Sequence, residues 1–240
     1  MFTARRAAVR EGGMIGTGRR GGRSIYRRAG KRAMDLAVAL TLLPLIVPVV
    51  AGLYLLVRLD GGPGFFGHWR VGRDGRPFRC WKLRSMRPDA DVVLARLLAR
   101  SPEARHEWQT SFRLRDDPRV TRIGHVLRQL HLDEMPQIWN VLLGQMSLVG
   151  PRPVTHEELR FYFETPAAYL DLRPGVTGLW QVEARHLAGY GARTELDRAY
   201  LASMSLSLDL RLMLRTSARM LGIRPAAEPL PAPSPDAQSA

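Results

Sequence analysis

Two adjacent acids, Asp133 and Glu134, form the part of the sequence best suited to chemistry. Adjacent carboxylates repel each other, so one can ligate Mg²⁺ while the other stays free as a nucleophile or a base. Apolar residues recur at helical spacing around the pair, at Leu132, Met135, Trp139 and Leu142. They predict a helix over residues 132–143 with both acids in its first turn. There the acids could equally complement the helix macrodipole, and the residue pattern alone favours this plainer interpretation.

Arginines on both sides of the acid pair could hold the phosphates of a substrate. Their planar guanidinium groups donate the forked pairs of hydrogen bonds that phosphate oxygens accept. The candidates are Arg119, Arg122, Arg128 and Arg152. Arg152 lies between Pro151 and Pro153, which restrict the backbone and could aim its side chain, or could simply form a rigid loop. Acids and arginines together suggest a phosphate-bearing substrate that meets the acid pair through a divalent cation.

One long apolar run, residues 36–57, lacks charged side chains and predicts a membrane segment. As a helix it would be about 33 Å long, enough to cross the hydrocarbon core once. Pro44 and Pro48 lie within the run, and each removes a backbone donor and should kink the helix. Both flanks are basic, so the positive-inside rule gives no orientation. A re-entrant hairpin, kinked at the prolines with both ends on one side of the membrane, satisfies both observations.

Composition divides the 240 residues into four parts. The chain carries 36 Lys and Arg against 22 Asp and Glu, a net charge of +14, and much of it lies in residues 1–30. These residues predict a disordered basic arm, which could serve solubility or attract anionic lipid heads. We expect a membrane helix at 31–59, a folded domain at 60–221 and a disordered proline-rich tail at 222–240. The single cysteine, Cys80, excludes an internal disulfide.

Local patterns in the folded part predict an α+β, mostly helical fold. Apolar residues on both sides of Arg73-Asp74-Gly75 predict a short β-hairpin. Residues 91–108 have an amphipathic helical pattern that could lie on the bilayer surface or on a protein core. Helical patterns recur over residues 119–130, 132–143, 155–164 and roughly 191–220. Strand signal elsewhere is sparse.

Several tracts, taken in order, make the sequence resemble a known family. The most specific are Arg70-x-Gly72-x-x-Gly75 and residues 82–86, 117–121, 132–137, 146–153 and 173–182. With these tracts the chain resembles the bacterial sugar transferases that act on polyprenyl phosphate, the monotopic phosphoglycosyl transferases. The resemblance implies one kinked re-entrant membrane helix, amphipathic interfacial helices and a compact catalytic domain. It also implies a place on the cytoplasmic face of a bacterial inner membrane.

The resemblance further implies a two-step reaction. Asp133 matches the family's nucleophile, which attacks the β-phosphate of a UDP-sugar, releases UMP and becomes a phosphosugar–aspartyl intermediate. Polyprenyl phosphate then takes the phosphosugar. Glu134 matches the partner glutamate associated with Mg²⁺. Residues expected near the substrate phosphates or the site are Lys82, Arg84, Arg119, Arg152 and Asp197. Pro48 matches the family's helix-breaking proline, and Pro44 is an additional breaker.

Two other classes of protein remain as alternatives. A non-catalytic membrane adapter would use the basic arm and the proline-rich tail, but it has no need for the acid pair. A membrane-tethered nucleic-acid binder would need aromatic platforms beside the arm, where residues 1–30 offer only Phe2 and Tyr26. The expected partners are therefore a UDP-sugar, polyprenyl phosphate, membrane lipids and enzymes of glycan assembly, with no nucleic acid.

Overall fold

The computed structural model describes residues 25–111, 114–159, 169–183, 190–220 and 222–223. The predicted basic arm up to residue 24 and the tail from residue 224 lie outside the described residues, as does most of the helix predicted at 155–164. Within the described part the chain is mostly helical and has two small two-stranded sheets. The mostly helical α+β prediction is confirmed.

The secondary-structure elements follow one another in a simple order. A π-helical turn, Tyr26–Gly30, leads into a long first helix, and the 3₁₀ turn Leu132–Glu134 holds the two candidate acids. The helices are α1 (Lys31–Leu59), α2 (Ala90–Arg100), α3 (Pro102–Ser111), α4 (Arg122–Gln129), α5 (Gln137–Leu142), α6 (His156–Leu159), α7 (Leu179–Glu183), α8 (Tyr190–Ser203) and α9 (Leu206–Met220). The strands are β1 (Phe65–Val71), β2 (Pro77–Leu83), β3 (Ser147–Val149) and β4 (Gly175–Thr177).

Helix α1 contains the predicted membrane segment and continues through Pro44 and Pro48. Each proline removes one backbone donor, but the residues around it keep helical geometry, so the prolines do not divide the helix into two elements. Of the described helices, α1 is long and apolar enough to cross a membrane by length and composition. The predicted kink and the re-entrant topology stay predictions.

Both ends of α1 contact the folded domain. Near its start, Asp35 is fully buried and accepts hydrogen bonds from Ser147 Oγ and Leu148 N, both at 3.0 Å. Near its end, the Val57 carbonyl accepts from Arg84 Nη2 at 2.9 Å. Elsewhere along the helix a series of aliphatic side chains is exposed, including Leu40, Leu42, Leu45, Val47, Val49, Leu55, Leu56 and Leu59.

A buried polar cluster fixes the start of α1 to α9. Asp209 is fully buried and accepts from Lys31 Nζ at 2.7 Å, Tyr26 Oη at 2.5 Å and Tyr200 Oη at 2.7 Å. A buried carboxylate is stable only when its oxygens are paired in this way.

The predicted hairpin is confirmed. Strands β1 and β2 are antiparallel, with Phe65 opposite Leu83 and Val71 opposite Pro77. The turn uses left-handed backbone at Asp74 (φ 58°) and Gly75 (φ 74°). Asn140 of α5 binds the free edge of β2, as described below.

The predicted helix over residues 132–143 is wrong in two respects. It is divided into the 3₁₀ turn and the short α5, because Pro136 has no amide hydrogen to continue the helical bonding. Its buried side is formed by Ile138 and Val141, while Trp139, predicted to be on the apolar face, is 55% exposed. The acids therefore lie in a tight turn rather than in the first turn of a long helix.

Two other long patterns are also divided, and one sheet was missed. The pattern at 91–108 forms α2 and α3, because Ser101 Oγ caps α3 by accepting from Ala104 N at 3.1 Å. The pattern at 191–220 forms α8 and α9. Strands β3 and β4 pair in parallel, and each has only three residues, too few to show a period in the sequence.

Helix α4 lies so close to Ser85 that only glycine fits at position 124. A Cβ on Gly124 would lie 2.0 Å from the Ser85 carbonyl oxygen. We expect Gly124→Ala to destabilise the fold by about 1–3 kcal/mol through overpacking against backbone. Gly52→Ala in α1 is the matched control, because nothing lies within 4 Å of its added Cβ. Thermal unfolding of the detergent-solubilised variants measures both, and equal melting temperatures would contradict the packing described.

Candidate active site

A short ion pair lies at the centre of the candidate site. Lys82 Nζ is 2.5 Å from Glu134 Oε1, and each side chain is 26% exposed. The pair lies in a cleft formed by the hairpin, the acid-bearing turn and the segments around β3 and β4. The polar residues that line this cleft are Arg70, Lys82, Glu134, Gln137, Arg152 and Gln181.

Helix α5 fixes the strand that carries Lys82. Asn140 is fully buried, and its Oδ1 accepts from Trp81 N at 3.0 Å while its Nδ2 donates to the Arg79 carbonyl at 2.6 Å. These bonds satisfy edge groups of β2 that burial would otherwise leave unpaired. Helix α5, which follows the turn with Asp133 and Glu134, thus holds that turn against the strand that carries Lys82.

Asp133 is buried beside the ion pair, with 8% of its surface exposed. Burial raises the pKa of its carboxyl group above the ordinary value, although Lys82 and Arg128 oppose this effect. An ionised carboxylate that water stabilises poorly is a more reactive nucleophile than a solvated one. Asp133 therefore has the environment expected of a reactive group.

Glu134 has the opposite shift. Burial would raise the pKa of its carboxyl group, but Lys82 and Arg152 outweigh burial, and the pKa is lowered. Glu134 is therefore a stable carboxylate at neutral pH. Adjacent carboxylates whose environments move their pKa values apart are suited to different chemical roles.

The structure brings together four of the residues predicted from sequence. Asp133 and Glu134 share one turn, Lys82 pairs with Glu134, and Arg152 lines the same cleft. The pKa of Glu134 responds to Arg152 as well as to Lys82, so both cations act on the acid turn.

Three predicted residues lie elsewhere and do not line the cleft. Arg84 is buried and donates to the Val57 and Gly61 carbonyls, so it caps the end of α1. Arg119 is buried with Asp117 in a two-bond pair, with both contacts at 2.7 Å. Asp197 is buried in α8. Their assignment to substrate binding stays a prediction.

A model of the family described as Bacterial sugar transferase matches residues 26–222 of this sequence. The chain belongs to the bacterial sugar transferase family. The match covers all the described residues except Ile25 and Ile223.

Relatives of this sugar transferase have names that specify their reactions. The chain is 46% identical over 186 residues to a UDP-galactose-lipid carrier transferase of Erwinia amylovora, covering 78% of this chain and 39% of the relative. It is 42% identical over 191 residues to an undecaprenyl-phosphate galactose phosphotransferase of Salmonella typhimurium, covering 80% and 40%. It is 43% identical over 187 residues to the exopolysaccharide production protein ExoY of Sinorhizobium fredii, covering 78% and 83%. The chain thus spans about two fifths of the first two relatives and most of the third.

Sequence reasoning missed two features of the sugar transferase cleft. Arg70 lies in the tract Arg70-x-Gly72-x-x-Gly75, but the sequence did not indicate a role for it. In the structure its Nη1 lies 2.8 Å from Glu158 Oε2. The hairpin register would have placed Arg70 on the same face as Lys82, because alternate residues share a face. Gln137 and Gln181 lie in the tracts 132–137 and 173–182 but had no role assigned, because a lone glutamine has no characteristic spacing.

A magnesium ion of the kind that phosphate-transferring enzymes use would have one carboxylate ligand in the cleft, Glu134. Among the described residues no group of three or more His, Cys, Asp or Glu could hold a metal alone. Mg²⁺ commonly binds through one or two carboxylates and the phosphates of its substrate, with water completing the shell. Glu134 is an ionised carboxylate in the cleft, so it would hold the ion together with a bound diphosphate. The ion would supply charge neutralisation on that diphosphate.

The lowered pKa of Glu134 predicts a pH-dependent coupling with Lys82. A lowered pKa means that the carboxylate stabilises the fold above its unfolded pKa of about 4.3, and that this stability is lost as the pH falls through the folded value. Glu134→Gln should therefore lower the melting temperature at neutral pH and have no effect in acid. In a Lys82→Met background, burial dominates and the same change should become neutral or stabilising.

A double-mutant cycle of thermal unfolding from acid to neutral pH measures this coupling, which we expect to be about 1 kcal/mol or more. The exposed pair of Arg198 and Glu195, with side chains 51% and 71% exposed, is the control and should show almost no coupling. Similar cycles for the two pairs would contradict the electrostatics described.

Proposed function

We propose that this protein transfers a sugar 1-phosphate from a UDP-sugar to a membrane polyprenyl phosphate, giving a polyprenyl-diphosphate sugar and UMP. The observation that carries the proposal is the acid turn, where buried Asp133 lies beside the ion pair of Glu134 and Lys82. The names of the relatives, which include lipid carriers and undecaprenyl phosphate, support the two substrates. This transfer would be the first membrane step of exopolysaccharide or related glycan synthesis, and glycan-assembly enzymes would take its product.

The first step places the phosphosugar on the enzyme. A carboxylate oxygen of Asp133 forms a bond to the β-phosphorus, while the bond from that phosphorus to the bridging oxygen breaks. UMP leaves with the electron pair of the broken bond. Lys82 and Arg152 are placed in the cleft to stabilise the negative charge that develops on the diphosphate. The product is an aspartyl phosphate, a reactive acyl phosphate.

The second step regenerates the enzyme. A phosphate oxygen of the polyprenyl phosphate forms a bond to the same phosphorus, and the aspartyl–phosphate bond breaks. Its electron pair returns to the carboxylate of Asp133. The burial that raises the pKa of Asp133 also keeps water away from the aspartyl phosphate. The intermediate is thereby protected from hydrolysis.

We also infer that α1 enters the membrane and returns to the same side, with the domain on the cytoplasmic face of a bacterial inner membrane. Asp35 near the start of the helix and Val57 near its end both contact the domain, while Pro44 and Pro48 between them are exposed. A helix crossing the bilayer once could keep only one of its ends against the domain. UDP-sugars are cytoplasmic, which fixes the side. Helix α2, with its exposed Val92, would lie in the interface.

An exchange assay without lipid acceptor tests the two-step course. With Mg²⁺ and UDP-galactose or UDP-glucose, labelled UMP should enter the UDP-sugar pool, because step one is reversible and needs no polyprenyl phosphate. Asp133→Asn should lower the exchange rate by more than about 10³-fold, since it removes the nucleophile. Asp116→Asn is the control, because Asp116 is exposed.

Two results would contradict the mechanism. One is transfer to polyprenyl phosphate at a normal rate with no UMP exchange in its absence, which indicates direct transfer between substrates. The other is an Asp133→Asn variant that exchanges like the Asp116→Asn control.

A further inference from the structure

The two faces of the hairpin carry different chemistry. Side chains of successive strand residues point to opposite faces, and the register places Phe66 opposite Lys82 and Trp69 opposite Arg79. Arg70, Cys80 and Lys82 share the face that lines the cleft. The opposite face carries Phe65, Trp69, Arg79 and Trp81, which we call the tryptophan face.

We propose that the tryptophan face is a membrane-binding surface that lies on the headgroup layer of an anionic bilayer. The proposal rests on the membrane placement of α1 given above. It assigns a second contact with lipid, separate from α1 and from α2, to residues that the reaction does not use.

The first argument is the composition and exposure of this face. Trp69 is 58% exposed and Phe65 is 40% exposed, although large aromatic side chains are usually buried. The Arg79 guanidinium lies 5.3 Å from the Trp69 ring centre and 5.9 Å from the Trp81 ring centre. Tryptophan concentrates at the membrane–water boundary, where an apolar ring and a polar N–H are both satisfied.

The second argument is charge. Arg79 is exposed, and no acid pairs with it among the residues that the structure describes. The hairpin from Phe65 to Leu83 contains five cations and one acid. A guanidinium held between indole rings keeps its forked donors free for a lipid phosphate. Basic residues near an anionic surface contribute about 1 kcal/mol each to binding.

The third argument is continuity with α1. The Phe65 ring lies 4.9 Å from the Tyr54 ring of α1, and Leu83 on the same face packs with Val57 of that helix. The tryptophan face therefore lies on the α1 side of the hairpin, and the cleft lies on the other side.

On the far side of β2, α5 carries further exposed apolar side chains. Asn140 ties α5 to the backbone of Trp81, and the next exposed residues are Trp139 (55%) and Leu143 (56%). Arg32 of α1 donates to the Leu142 carbonyl at 2.9 Å, so α5 lies beside the start of α1. With α1 in the membrane, a bilayer can contact α1 and these side chains at the same time. A protein partner would have to bind the side chains without contacting α1.

The arrangement has a consequence for the reaction. A two-stranded sheet is one layer thick, so residues on its two faces are about 10 Å apart or less. With the tryptophan face on the headgroups, Lys82 and Arg70 lie just above the level of lipid phosphates. The phosphate of a polyprenyl phosphate would then lie within about 10 Å of the cleft, on the opposite side of the hairpin.

Spin labels on neighbouring residues of one strand test the proposal. In a Cys80→Ala background, single cysteines at positions 69 and 68 carry a nitroxide in nanodiscs of phosphatidylglycerol and phosphatidylcholine. His68 is the matched control, because it is exposed on the cleft face one residue away. A third label at Leu45 reports whether α1 is in the bilayer. The readout is the ratio of collisions with oxygen to collisions with a water-soluble nickel complex, which requires no turnover.

We expect a several-fold higher ratio at 69 than at 68, and a high ratio at 45. Equal, water-like ratios at 68 and 69 with a high ratio at 45 would overturn the proposal and leave α1 in the membrane. A label at 69 shielded from both probes would indicate a protein contact and would also overturn it. A water-like label at 45 would overturn the membrane placement itself, whatever the exchange assay shows about catalysis.

Discussion

The ion pair of Lys82 and Glu134 joins the two parts of the chain on which the site depends. The lysine comes from a strand and the glutamate from a turn 52 residues later, and their contact lies in the cleft. The same contact lowers the pKa of Glu134, while buried Asp133 beside it has a raised pKa. The ion pair with Lys82 and the burial of Asp133 therefore give the two adjacent carboxylates different properties. The proposed division of roles between nucleophile and metal partner follows from that difference.

A second buried cluster fixes helix α1 to the rest of the domain. Asp209 collects Lys31, Tyr26 and Tyr200, and Asp35 binds β3. Together they hold the start of α1 against the core, as Arg84 holds its end. The hairpin packs against the end of α1 through Phe65 and Leu83, so the cleft on one of its faces and the tryptophan face on the other are both set relative to α1.

The sequence predicted the hairpin, the long apolar helix and the gathering of Asp133, Glu134, Lys82 and Arg152, because each depends on local pattern or on a recognisable tract. It did not predict the division of residues 132–143, where Pro136 overrides apolar spacing, or the three-residue strands. The contacts that Arg84 and Arg119 make could not be predicted either. An arginine suited to phosphate has the same sequence signature as one that caps a helix or pairs with Asp117, and only tertiary contacts distinguish them.

In the proposed mechanism Asp133 carries the phosphosugar. Intact mass of the protein incubated with Mg²⁺ and UDP-galactose, without lipid acceptor, measures this directly. We expect a species heavier by one hexose phosphate, mapped by peptide analysis to Asp133 and removed on addition of polyprenyl phosphate. An adduct on another residue, or efficient lipid product formation with no adduct under any trapping condition, would contradict it.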